Sequence, residues 1–153
     1  MNKIEEKVLD LALKHTPSVE VIYEEGETRS VSFENNKLKC VNTKSIRGIG
    51  LRVIKDGRIG FSSTTDFRKP EKLVANAIES VKFGQPAAFD FPSKNNFPKV
   101  AVHDLRVIDY PVNKCVDVGK EAIEKALSVN PSYECSVGIG KGQFNSSKIL
   151  TNL

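Results

Sequence analysis

The chain has 153 residues, 39% hydrophobic and 27% charged, with a formal net charge of +4. That is room for one ordinary domain or two small ones, with the composition of a soluble globular protein rather than a disordered or fibrous one. No apolar run reaches the length of a membrane span, and the N-terminal MNKIEEKVLDLALK carries acids throughout and no apolar h-region. Neither a membrane span nor a secretory signal is therefore expected, and the cytoplasm is the expected compartment.

Residues 3–15 are predicted to form a helix, because Ile4, Val8, Leu11 and Ala12 recur on one face. Glu5 and Glu6 in its first turn and Lys14 and His15 in its last suit the macrodipole, and Pro17 stops it. Strands are expected at 19–23 and 28–34, separated by a polar turn at Glu24-Glu25-Gly26-Glu27, and a third at 37–42 after Asn35-Asn36, residues that tolerate positive φ. From Ser45 to Thr64 the chain reads SIRGIGLRVIKDGRIGFSST. Ile49, Leu51 and Val53 alternate with Gly48, Gly50 and Arg52, then Asp56-Gly57 divides two strands as a hairpin turn does. Two glycines on one strand face predict a close approach there, either by a helix crossing the sheet or by a ligand or peptide.

A second helix is expected between Asp66 and Gly84, capped by Thr65 or Asp66, with Pro70 in the first turn and Leu73, Ala77 and Val81 inward. Residues 84–99, GQPAAFDFPSKNNFPK, read as a connection pinned by Phe89, Phe91 and Phe97, with turn character at Asn95-Asn96. Beyond it, 100–108 is expected as a short strand and 111–128 as a helix burying Val112, Val116, Gly119 and Ile123. Two strands, 133–139 and 143–153, are expected around a Gly140-Lys141-Gly142 turn. The fold class is thus α+β: a two-layer, mainly antiparallel sheet of about five strands with flanking helices over residues 1–92. A second helix-plus-strands unit starts over 93–153. Thr16-Pro17-Ser18 and Asn130-Pro131-Ser132 mark a short repeat, each after an amphipathic helix. Because the second unit stops inside a strand, the chain is expected to be the N-terminal part of a longer protein.

The chemistry-bearing residues are sparse. His15 and His103 have no neighbouring ligand, and on a strand His103 and Asp104 would point to opposite faces. Cys40, Cys115 and Cys135 are scattered, with no CxxC, so reduced thiols are expected rather than a zinc site or disulfides. There is no HExxH, GxSxG, P-loop or dinucleotide fingerprint. Ser62-Ser63-Thr64-Thr65 could hold an anion but fits better as a helix cap, and Asp56 and Asp66 fit turn and cap positions. No catalytic or metal residue is therefore assigned. Charge is uneven: residues 1–34 hold four basic and eight acidic side chains. Residues 44–72 hold eight basic (Lys44, Arg47, Arg52, Lys55, Arg58, Arg68, Lys69, Lys72) and three acidic ones. This basic hairpin either faces nucleic acid or an acidic partner, or is balanced by the acidic strand beside it; the absence of any nucleic-acid motif favours the second.

Arg47-Gly48-Ile49-Gly50-Leu51-Arg52-Val53 followed by Asp56-Gly57-Arg58-Ile59-Gly60-Phe61-Ser62-Ser63-Thr64 resembles the N-terminal signature of the TldD/PmbA proteins. These are metallopeptidase-related proteins also described as candidate modulators of DNA gyrase. The similarity extends from Glu20 to about Phe91, and VIKDGRIGFSSTTD with PAAFDFP leans to the PmbA type. The resemblance implies a two-part chain working as a homodimer or with a related subunit. In peptidase-active members zinc is held by a histidine-rich helix in the part beyond this region; the PmbA type lacks those ligands and serves as partner subunit. It implies a non-catalytic scaffold role in proteolysis for this region, with no cofactor of its own and peptide substrate handled by the complete protein. No metal-binding position carries over.

Overall fold

A computed structural model describes residues 3–92 and 98–151. The first helix, α1 (Lys3–Leu13), is followed by two long strands, β1 (Ser18–Glu34) and β2 (Lys37–Lys55), and by β3 (Arg58–Thr64). Helix α2 (Pro70–Ser80) ends in a 3-10 turn (Val81–Phe83); then come a short helix α3 (Leu105–Asp109), helix α4 (Val112–Val129) and β4 (Val137–Thr151). The strands form one sheet in the order β3-β2-β1-β4. The fold is α+β with helices flanking a four-stranded sheet, one strand fewer than about five.

The hairpin turns form where the sequence calls for them. Asn35 and Asn36 adopt φ of 49° and 64°, and Asp56 and Gly57 adopt 51° and 69°, the pairs of positive values that two-residue hairpins need. Other expected breaks do not form. Glu24–Glu27 continues β1, because Gly26 serves contact rather than a turn: a Cβ there would lie 2.4 Å from the Phe144 ring. Residues 42–45 continue β2 without a break. Gly140-Lys141-Gly142 runs straight through β4, and neither glycine takes a positive φ. Merging 19–23 with 28–34, and 37–42 with the strand beginning near Ser45, and running 137–139 on into 143–151 accounts for fewer, longer strands; residues 133–136, expected in a strand, take none.

Contacts divide the chain into two compact units that alternate along the sequence. The first comprises Met1–Glu25, Arg47–Pro98 and Asn145–Leu153; the second comprises Gly26–Ile46 and Lys99–Phe144. In the first, α1 and α2 cover one sheet face. Val8 and Ala12 of α1, Val19, Val21 and Tyr23 of β1, Ile49, Leu51 and Val53 of β2, and Leu73, Val74 and Ala77 of α2 form its core. Val8, Val19, Val21, Leu51 and Val53 are completely buried, each contributing about 1.5–3 kcal/mol by leaving water. In the second unit, Val31 and Phe33 pack on Cys115 and Ile123 of α4. Gly119 lets that helix settle on the sheet, since a Cβ would lie 2.2 Å from the Phe33 ring.

Two more expectations are corrected. Helix α2 begins at Pro70 with Lys69 at the N-cap and no side-chain cap, so neither Thr65 nor Asp66 caps it. Thr64 Oγ1 instead accepts from Asp66 N–H (3.0 Å), and Asp66 Oδ1 from Arg68 N–H (3.1 Å), closing a local turn. Residues 100–104 take no strand, and α3 occupies 105–109 because Asp104 caps it by accepting from Arg106 N–H at 2.9 Å. Asn95-Asn96 and Phe97 lie outside the described residues. No helix among the described residues is long and apolar enough to cross a membrane.

Candidate functional site

Strands β2 and β3 pair antiparallel, with Gly50 opposite Ser63, Arg52 opposite Phe61 and Ile54 opposite Ile59. Since Ile49, Leu51 and Val53 point into the helix-covered core, Gly48, Gly50 and Arg52 occupy the opposite face. Among the described residues, the atoms nearest the two glycines come from strands and not from a helix. A Cβ on Gly50 would meet Ile22 Cγ2 at 3.0 Å and the Phe61 ring at 3.6 Å, both from neighbouring strands, and one on Gly48 would meet only Thr64 O at 3.7 Å. The close helix approach is at Gly60, on the core face, where a Cβ would lie 2.2 Å from Ala77 O.

Arg52 is the centre of this glycine face. Its Nε lies 2.6 Å from Glu20 Oε2, and Lys148 Nζ lies 3.2 Å from Glu20 Oε1, so cations from the strands on either side meet one carboxylate on β1. Glu20 is 7% exposed, and such a carboxylate is tolerable only with its charge compensated. The Arg52 guanidinium also lies 5.4 Å from both the Phe89 and the Phe91 ring centroids, within cation–π range. The Phe-rich connection is therefore pinned as expected, with Phe91 buried, and Arg52 is its anchor. Sequence reasoning missed this partnership because Glu20, Arg52, Phe89 and Lys148 share no motif.

The other arginines of the basic stretch are engaged as well. Arg47 Nε donates to Tyr23 Oη (2.9 Å), stands 4.7 Å from the Phe67 ring centroid and lies 4.0 Å from Glu25. Arg58 Nη1 donates to Gly84 O at 2.9 Å. Arg68 grips Asp66 with two bonds of 2.7 and 2.8 Å, which with its backbone N–H hold the Asp66 carboxyl down at about 2. Lys44, Lys69 and Lys72 are exposed. The acidic strand β1 thus supplies Glu20 to Arg52 and Glu25 to Arg47.

The remaining candidates are not brought together as a reactive site. His15 and His103 are exposed, and Asp104 is gripped by Arg106, which lowers its pKa. Cys40, Cys115 and Cys135 are free thiols. Among the described residues no group of three or more His, Cys, Asp or Glu side chains is placed to hold a metal ion. Ser62, Ser63 and Thr64 line an open hollow with Lys69 and Lys72.

Comparison with known proteins agrees with this hairpin-centred picture. Residues 19–81 match the family model of the PmbA/TldA metallopeptidase domain 1. An uncharacterized protein of Methanocaldococcus jannaschii is 30% identical over 94 residues, covering 61% of this chain and 22% of that protein. Crystal structures with the same fold include TldE from Thermococcus kodakarensis, at TM-score 0.76 and 15% identity, covering 95% of this chain and 34% of that one. A candidate modulator of DNA gyrase from Bacteroides thetaiotaomicron superposes at TM-score 0.77 and 21% identity, covering 97% and 36%. The chain thus spans about a fifth to a third of the length of these relatives.

Proposed function

We propose that this chain, whose residues 19–81 match the PmbA/TldA metallopeptidase domain 1, is the non-catalytic N-terminal scaffold of a longer PmbA/TldD-type protein acting in peptide proteolysis. The parent is either the zinc peptidase itself or its zinc-free partner subunit. The observation that carries this reading is that the matched hairpin is built for support. Gly60 admits α2, Arg52 fastens the Phe89–Phe91 connection, and the arginines serve neighbouring groups rather than an open cleft. Any zinc belongs to a later part of such a protein, as does any enclosed peptide site, and the subunit partner is a second copy or a related chain.

The test is metal analysis of the purified 153-residue chain beside a peptidase assay on short unstructured peptides. The scaffold reading expects no bound zinc after dialysis and no cleavage. Zinc at one equivalent, or turnover of any peptide, would show that this region carries its own site. The second reading, a nucleic-acid or acidic-partner surface on residues 45–64, draws support from the exposed Lys44, Lys69 and Lys72. Arg47, Arg52, Arg58 and Arg68 being already engaged counts against it.

A further inference from the structure

We propose that Ser80 and residues 84–87 form a guard over the outer edge of β3, preventing the chain from pairing there with a second copy of itself. Strand β3 lies at one edge of the sheet, and an open edge is a template for another strand. Here the outward backbone groups of Gly57, Ile59 and Phe61 are already engaged. Phe61 N–H donates to Ser80 Oγ at 2.8 Å, and the same hydroxyl lies 3.1 Å from Phe61 O and 2.8 Å from Ala77 O, the alternative acceptors for its single proton. Ile59 N–H donates to Gln85 O at 3.0 Å, and Ala87 N–H to Gly57 O at 2.8 Å. Gly84 permits this approach, since a Cβ there would lie 1.8 Å from Ile59 O, and Arg58 ties down the Gly84 carbonyl.

The edge beneath this guard suits self-pairing. Phe61 is the middle residue of Arg58–Thr64 and is 56% exposed. Antiparallel pairing of two copies about Phe61 would set the two rings side by side and place Arg58 opposite Thr64, with no like charges facing.

The experiment is sedimentation of the full chain over a range of concentrations, with amide exchange at Phe61, for the parent, S80A, S80T, R58A and the double variant S80A/S63P. In S80A the Phe61 amide should exchange about tenfold faster in dilute solution, the loss expected for one net hydrogen bond. Its weight-average mass should climb with concentration toward twice that of the chain, above the parent's curve. S80T retains the hydroxyl and should follow the parent. S63P removes the next outward N–H and should return S80A to the parent's behaviour. If S80A does not fold, R58A, which loosens the strap through an exposed side chain, is read in its place. S80A, or R58A in that case, sedimenting as the parent does at every concentration would overturn the proposal, as would S80A/S63P associating as strongly as S80A.

Discussion

At the scale of single residues, the glycines of the hairpin show how the same residue type serves different ends. Gly60 lets α2 lie against the sheet, while a Cβ on Gly48 would make no more than an ordinary contact with Thr64 O at 3.7 Å. G60A should destabilise the fold by about 1–3 kcal/mol, because the new methyl meets a backbone carbonyl that only a shift of α2 can relieve. G48A should be neutral or stabilising by about 0.5 kcal/mol, as alanine loses less chain entropy in a strand. Urea unfolding of both variants checks this, and equal effects would mean that the two positions are packed alike. Asp66 offers a pH test. Its carboxyl titrates at about 2 rather than the usual 3.8 because Arg68 and its N–H hold the charged form. A lowered folded-state pKa favours folding above pH 4 and loses that contribution as the pH falls toward 2. Carboxyl chemical shifts should place the Asp66 midpoint near 2 in the parent chain and move it up in R68A; a parent midpoint near 3.8 would show that the grip on Asp66 is not held in solution.

At the scale of elements, the sequence reveals what local chemistry controls. Asn35-Asn36 and Asp56-Gly57 turn because their side chains, or lack of one, make positive φ accessible. The short repeat has a physical basis. Thr16 Oγ1 accepts from Ser18 N–H at 3.3 Å, and Asn130 Oδ1 from Ser132 N–H at 2.9 Å, so the two triplets make the same side-chain turn. The strands after the two turns begin differently: β1 starts at Ser18, whereas β4 waits until Val137, after Asn36 has bonded Tyr133 and Cys135 with its side-chain amide. That long-range bond is not written in local pattern, nor is the straight path through Gly26 or Gly142, which is decided by Phe144. The glycine face is legible in the sequence as a place of note, but its centre, Arg52 on Glu20, joins residues 32 apart. Replacing Arg52 by alanine leaves a nearly buried carboxylate with Lys148 as its remaining cation and removes a cation–π contact from each of Phe89 and Phe91. A loss of about 1–3 kcal/mol is expected, with K148A costing less because that side chain is more exposed. Thermal unfolding of the two variants ranks them, and K148A proving the more damaging would show that Arg52 is not the anchor.

At the scale of the molecule, charge distribution bears on the choice between support and nucleic-acid binding. The net charge of +4 and the eight basic side chains of residues 44–72 invite a phosphate backbone. In the folded chain, however, Arg47 and Arg52 face carboxylates of β1, Arg68 faces Asp66, and Arg58 is spent on a carbonyl. Each paired arginine would have to surrender its partner before it could neutralise a phosphate, and the exposed lysines left over are few. Binding through released counterions weakens steeply with salt, in proportion to the phosphates neutralised. Fluorescence anisotropy of a labelled DNA duplex, titrated with the chain at 50 and 200 mM salt, should therefore show at most weak association at the lower salt. The salt dependence should correspond to no more than two or three phosphates. Affinity falling about a thousandfold between the two conditions would require six or more phosphate contacts. That many contacts would mean the arginines leave Glu20, Glu25 and Asp66 for the nucleic acid, and the hairpin would then be an interface rather than a support.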